Sequence, residues 1–274
     1  LYSAMTATLT ANAQTAFGEQ QIIEYSETDG ARDVHAADLD GDGDMDILSA
    51  SRDDNKIAWY ENDGNGNFGE QQIITTAADG ATSVYAADLD GDGDMDILSA
   101  SFEDDKIAWY ENEGSGNFGV EQIITTAADY AQSVYAADLD NDGDMDVLSA
   151  SINDNKIAWY ENEGSGNFGV QQIITTNADA ALSVYAADLD NDGDMDVLSA
   201  SFYDNKIAWY ENEGNGNFGE QQIITTAADY ARSVYAADLD NDGDMDVLSA
   251  SLWDGKIAWY ENDGSGNYSG RQTS

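Results

Sequence analysis

The chain of 274 residues contains no cysteine, no proline and a single histidine. Without cysteine there is no disulfide, no thiolate nucleophile and no cysteine-ligated zinc. The missing proline accords with one proline-free unit having been copied along the chain. Cationic side chains are also scarce, with nine Lys and Arg against 55 Asp and Glu, for a formal charge of −46. A surface of that sign repels phosphate, so nucleic acid and anionic membranes are poor partners. No stretch reaches the roughly 18 consecutive apolar residues of a membrane-spanning helix. The hydrophobic fraction is nonetheless 42%, enough for a core, and the charge does not signal disorder.

What the chain does have is a period. The run DLDGDGDMD begins at Asp38 and Asp88, and DLDNDGDMD begins at Asp138, Asp188 and Asp238, a step of 50 residues each time. Self-similarity at that spacing marks a propeller or a solenoid. Within residues 68–117, Phe68 to Thr76, Ser83 to Asp88, Ile97 to Ser101 and Lys106 to Asn112 read as short strands, separated by turns and a Gly-rich hairpin, with no helical period. Four strands per repeat is the content of one propeller blade. The expected fold is all-β, a single five-bladed propeller over residues 14–274 with four-stranded blades of 50 residues. Phe17 to Glu24 has no blade of its own at the start, and the final YSGRQTS lacks the Ile pair of its counterparts. The N-terminal strand is therefore expected to complete the last blade and close a monomeric ring, which removes exposed sheet edges. The alternative is an arc cut from a ring of about seven blades. Residues 1–13, LYSAMTATLTANA, end in the A-x-A pattern Ala11-Asn12-Ala13, which points to the remnant of a secretory signal or to a disordered leader, and hence to a secreted protein.

The acidic run has the spacing of a calcium loop. Carboxylates at alternate positions 1, 3 and 5 can wrap one cation, Gly at 6 supplies the turn, and position 7 offers a carbonyl. The candidates are Asp38, Asp40, Asp42, Asp44 and Asp46; Asp88, Asp90, Asp92, Asp94 and Asp96; Asp138, Asp140, Asp142, Asp144 and Asp146; Asp188, Asp190, Asp192, Asp194 and Asp196; and Asp238, Asp240, Asp242, Asp244 and Asp246. An all-oxygen donor set selects calcium over zinc or copper. One Ca2+ per repeat, five in all, would bring the charge from −46 to about −36. A solvated acidic turn is the plain alternative, and five copies in strict register argue against it.

The stretch VYAADLDGDGDMDILSAS, following a Phe-Gly strand, resembles the FG-GAP or VCBS repeat over residues 17–267. That family includes the propeller of integrin α subunits and many secreted bacterial proteins. The resemblance implies a β-propeller with calcium between the first and second strands of each blade. It also implies ligation by Asp38, Asp40, Asp42, the Asp44 carbonyl and Asp46, and by their counterparts in later repeats. Family rings usually have about seven blades, and members differ too widely in role for one to be transferred.

His35 stands where later repeats carry Tyr85, Tyr135, Tyr185 and Tyr235, and reads as a strand variant. The recurrent Trp and Tyr of Lys56-Ile57-Ala58-Trp59-Tyr60 read as core between blades, and Lys56 as the partner of a nearby acid. Two short segments vary among otherwise near-identical copies. One includes Gly30 and Arg32, Gly80 and Thr82, Tyr130 and Gln132, Ala180 and Leu182, and Tyr230 and Arg232. The other is Arg52-Asp53, Phe102-Glu103, Ile152-Asn153, Phe202-Tyr203 and Leu252-Trp253. Loops alternate between the two ends of an up-and-down blade, so both segments are expected on the face opposite the acidic loops. Arg52, Phe102, Tyr130, Phe202, Tyr203, Tyr230, Arg232 and Trp253 are then the candidate ligand-binding residues. No nucleophile and base stand out from the repeat. The expected role is an extracellular, non-enzymatic, lectin-like or cell-adhesion module for a glycan or protein. A structural spacer in a larger surface protein and a polysaccharide-active enzyme are the alternatives.

Overall fold

The computed structural model describes residues 20–24 and 27–271. The leader at 1–13 and its A-x-A pattern lie outside the described residues. The first sheet is formed by β1 (Ala31–Ala37), β2 (Asp46–Ser51), β3 (Lys56–Tyr60) and β4 (Gln72–Thr75), paired antiparallel in chain order. The same meander recurs in β5 (Ala81–Ala87) to β8 (Gln122–Thr125), and in β9 (Ala131–Ala137) to β12 (Gln172–Thr175). It recurs again in β13 (Ala181–Ala187) to β16 (Gln222–Thr225), and in β17 (Ala231–Ala237) to β20 (Tyr268–Arg271). Five four-stranded sheets are thus present among the described residues, and each acidic loop joins the first and second strands of its sheet. The outer strand is shorter than its Ile-rich sequence suggests. Phe68 contributes only an isolated bridge to Asn62, and regular pairing begins at Gln72.

The core lies between sheets. Strands buried on both faces lose the polar alternation of a surface strand, and Ile57-Ala58-Trp59-Tyr60 is buried throughout. Leu39, Leu48, Ala50, Ile57 and Trp59 of the first blade pack on Ala78, Ala81, Val84, Ala86, Ile97 and Tyr110 of the second. Three more interfaces repeat this set. Trp59, Trp109, Trp159 and Trp209 are each 3% exposed and are core as read, while Trp259 is only half-buried. Phe118 of the next blade meets Trp59 edge-on at 6.3 Å. Gly116 lies flat on the same ring, where a Cβ would come within 2.5 Å of the indole. The hairpin glycines therefore permit one blade to close over the tryptophan of another.

The fifth interface of a closed ring is missing among the described residues. Val34 is 67% exposed where Val84 is 3%, and Ile257 is 81% exposed where Ile57 is 0%. The first and last sheets present uncovered faces, and the blades form an arc. The expected completion of the last blade by Phe17 to Glu24 is not what the chain does. The C-terminal strand β20 pairs with β19 (Lys256–Asn262), with Tyr268 opposite Asn262 and Arg271 opposite Trp259. Tyr268 sits edge-on to Trp209 at 6.4 Å, in the slot that Phe118 fills against Trp59, so the place is taken. Residues 20–24 are not in a strand, and 17–19 lie outside the described residues.

Candidate functional site

The acidic loops are built alike. Asp46 closes its loop from inside: fully buried, it accepts from the Leu39 amide at 2.9 Å and the Asn62 amide at 2.8 Å. Asp38 accepts from Gly41 at 2.9 Å and Gly43 at 3.0 Å. These bonds hold carboxylates where chain repulsion alone would scatter them. In each repeat three aspartates place one oxygen apiece within 4.8 Å of each other. They are Asp38, Asp40 and Asp42 in the first loop, and positions 1, 3 and 9 in the rest, for example Asp88, Asp90 and Asp96. Position 7 turns its carboxylate elsewhere, since Asp194 and Asp244 accept from the side chains of Asn141 and Asn191 in the preceding blade.

The electrostatics are those of crowded, partly buried carboxylates. Burial, with crowding by neighbouring carboxylates, pushes the Asp96, Asp146 and Asp196 carboxyls up to about 7. Asp40, Asp90, Asp140 and Asp190 are raised as well, burial again being the largest cause. Asp138 and Asp188 each keep a buried Oδ1 with no hydrogen-bond partner. An orphaned carboxylate oxygen beside two more carboxylates is a mismatch that a hard divalent cation removes. The donor sets are compatible with calcium.

At the other end of the strands the two variable segments are bound to each other. The Arg52 amide donates to the Gly30 carbonyl at 3.0 Å, Phe102 to Gly80 at 3.0 Å, and Leu252 to Tyr230 at 3.1 Å. The residue just before each inner strand is left-handed, with φ of 68° at Gly30, 61° at Tyr130 and 58° at Tyr230. Two tyrosines thus occupy a conformation that glycine adopts freely and that costs other residues about 1–2 kcal/mol.

Their rings join a chain of contacts. Phe102 meets Tyr130 at 4.2 Å, Phe202 meets Tyr230 at 4.4 Å and Tyr203 at 5.3 Å, and Trp253 stacks on Tyr230 at 5.4 Å. Arg52 lies over Phe102 at 4.6 Å and Arg232 over Phe202 at 5.7 Å. A cavity of about 210 Å³ opens here, lined by Arg32, Phe102, Gln132, Ile152, Ala180, Leu182, Phe202, Tyr203 and Arg232. Of the eight candidate ligand residues, Phe102, Phe202, Tyr203 and Arg232 line it. Tyr130 and Tyr230 meet that lining edge-on, Arg52 lies over it, and Trp253 stacks behind on Tyr230. Arg32, Gln132, Ile152, Ala180 and Leu182 complete the wall; their variability was visible in the sequence, but their convergence was not. His35, Tyr85, Tyr135, Tyr185 and Tyr235 form a row along the inner strands, with ring spacings of 4.5–4.7 Å.

The FG-GAP-like repeat matches residues 38–99, 88–149, 148–199 and 190–249, and the chain belongs to that family. No curated protein matches it. Among solved structures it is similar to an Agrocybe aegerita lectin that recognises non-reducing terminal N-acetylglucosamine, with a TM-score of 0.62 and 22% identity over 86% of this chain. It is also similar to the V. cholerae biofilm matrix protein Bap1, with a TM-score of 0.51 and 22% identity over 87% of this chain. Virginiamycin B lyase of Staphylococcus aureus gives a TM-score of 0.58 at 15% identity over 88% of this chain. This chain spans 64% of the lectin, 38% of the matrix protein and 69% of the lyase. At these identities the likeness is one of fold.

Proposed function

We propose that the chain is an extracellular, calcium-stabilised binding module that recognises a glycan at the aromatic end of its blades. The observation carrying this reading is the cavity itself. Its wall is built from positions that differ between repeats, and three of its aromatic residues, Phe102, Phe202 and Tyr203, come from two blades. Exposed aromatic rings with a few polar groups suit the mixed apolar and hydroxylated faces of a sugar. Tyr203 and Trp253, at 64% and 74% exposure, are surfaces that packing alone does not require. The lectin and the biofilm matrix protein among the structural neighbours favour the same class of role.

Calcium would act as a structural ion at the opposite end. Aspartates at positions 1, 3 and 9 would hold it, with Asp42 taking part in the first loop. With free calcium about 100-fold above the dissociation constant, each site adds roughly 2.7 kcal/mol to stability. An enzymatic role finds little chemistry to use, since the single His35 is packed against Tyr85 at 4.5 Å.

A glycan array probed in millimolar calcium tests the reading. Retention of defined glycans by the parent protein, lost in Trp253→Ala and Tyr203→Ala at unchanged melting temperature, is the expected outcome. No retention on any glycan, or retention that survives both changes, would overturn it.

A further inference from the structure

The nine cations of this chain are not spread at random. Five are the repeated lysines. Lys56, Lys106, Lys156, Lys206 and Lys256 each lie 2.7–3.0 Å from the aspartate two residues before them. Those five belong to the fold. Arg52 approaches Glu103 at 4.0 Å. Arg32 and Arg232 make no ion pair among the described residues, in a chain that carries 55 carboxylates. Both line the same cavity, and none of its nine lining residues is acidic. They occupy the same position in the first and fifth blades, where the three blades between carry Thr82, Gln132 and Leu182. The curvature of the arc brings its two ends together over one pocket.

We propose that this pocket binds a single carboxylate-bearing sugar, with the carboxylate between Arg32 and Arg232 and the ring against Phe202 and Tyr203. The inference rests on the glycan-binding reading above and names the sugar class. Guanidinium groups bind carboxylates through paired, charge-assisted hydrogen bonds. Two unpaired guanidinium groups facing a carboxylate-free cavity are complementary to an anion and to little else in this protein. The cavity volume of about 210 Å³ is below the roughly 300–1,000 Å³ of pockets for drug-sized ligands, and it fits one ring. Two features select the anion. The formal charge of −46 opposes a doubly charged phosphate ester more than a singly charged carboxylate. The same field opposes a polyanionic chain, whose further charges would lie over acidic surface. A terminal acidic sugar satisfies both conditions.

The test uses the full chain in calcium-containing buffer and two probes, methyl β-glucuronide and methyl β-glucoside, which differ only at the C6 carboxylate. Titration calorimetry should find the glucuronide bound at least about tenfold more tightly. The double variant Arg32→Gln/Arg232→Gln should lose that preference, and Lys256→Gln, which removes an exposed cation outside the cavity, should retain it, both with a melting temperature within about 2 °C of the parent. Equal binding of the two sugars would overturn the acidic preference and leave the glycan reading intact. Binding of neither would overturn both. Tighter binding of glucose 6-phosphate than of the glucuronide would make the pocket a phosphate site and overturn the assignment. A preference that survives the double variant would place the anion elsewhere.

Discussion

The Asn112 side-chain amide donates to the Leu39 carbonyl at 2.8 Å and to the Met95 carbonyl at 3.1 Å. Leu39 is the second residue of one acidic loop and Met95 the eighth of the next. A single amide therefore ties two successive loops together. Asn162, Asn212 and Asn262 repeat the pair of bonds, whereas Asn62 reaches only Met45, at 2.9 Å, there being no preceding acidic loop among the described residues. Replacing Asn112 by Ala strands two carbonyls, at about 1–3 kcal/mol for each buried group left unpaired. Denaturant unfolding should find Asn112→Ala clearly less stable than Asn62→Ala. Equal losses would mean that the bond between loops contributes nothing.

Burial at the ends of the arc makes a second comparison. Val84 fills an interface at 3% exposure, while Val34, the same residue at the same strand position, is 67% exposed. Truncating a fully buried valine removes most of the roughly 1.5–3 kcal/mol that its burial supplies. Val84→Ala should lower stability by that order and Val34→Ala by less than about 0.5 kcal/mol, as for surface changes generally. Matching losses would place a fifth interface where the arc is open.

The acidic loops make stability depend on pH in a direction unusual for carboxylates. Asp96, Asp146 and Asp196 titrate at about 7 in the folded chain and at the ordinary carboxylate value of 3.8 when unfolded. Between those values the folded state holds protons that the unfolded state has released, so stability falls as pH rises. The contribution is complete below 3.8 and gone above about 7. Asp54 and Asp63 are shifted downward and act only on the acid side of that window. Melting in EDTA should therefore drop between pH 4.5 and 7.5, and millimolar calcium should reverse the slope. A melting temperature indifferent to both would sink the cation reading, as would Asp88→Ala binding as many calcium ions as the parent.

Tyr230 holds a left-handed backbone, at φ 58°, where the first two repeats use glycine. Its stacking on Trp253 and edge-on contact with Phe202 contribute roughly 0.5–1.5 kcal/mol per aromatic pair, and the backbone conformation costs about as much. Tyr230→Gly should then leave stability within about 1 kcal/mol of the parent while weakening glycan binding. A large stability loss with binding intact would mark the ring as packing.

The 50-residue step and the strand content of each repeat were readable because every blade solves the same burial problem with the same residues. The shared end of the two variable segments followed from strand alternation. The fate of the last blade did not. YSGRQTS lacks the Ile pair that marked the other outer strands, yet Tyr268 fills the phenylalanine slot and the backbone pairs regardless of side chain. Arg32 was equally hard to single out, since its sharing a cavity with Arg232 depends on how far five blades curve.

Each interface between blades is made from nearly the same residues, with Trp59, Trp109, Trp159 and Trp209 meeting Phe118, Phe168, Phe218 and Tyr268 in turn. Such contacts identify a repeat and not its number. Any blade can dock on any other, so the order along the arc is enforced by the five residues 76–80 and their equivalents between outer and inner strands. Shuffled arrangements are isoenergetic at their interfaces, and covalent tethering, through a high local concentration of the neighbouring blade, is what gives the native order its advantage. A dilute chain is therefore expected to assemble correctly, and crowding chains together during refolding should erode the advantage, because another molecule then offers similar blades.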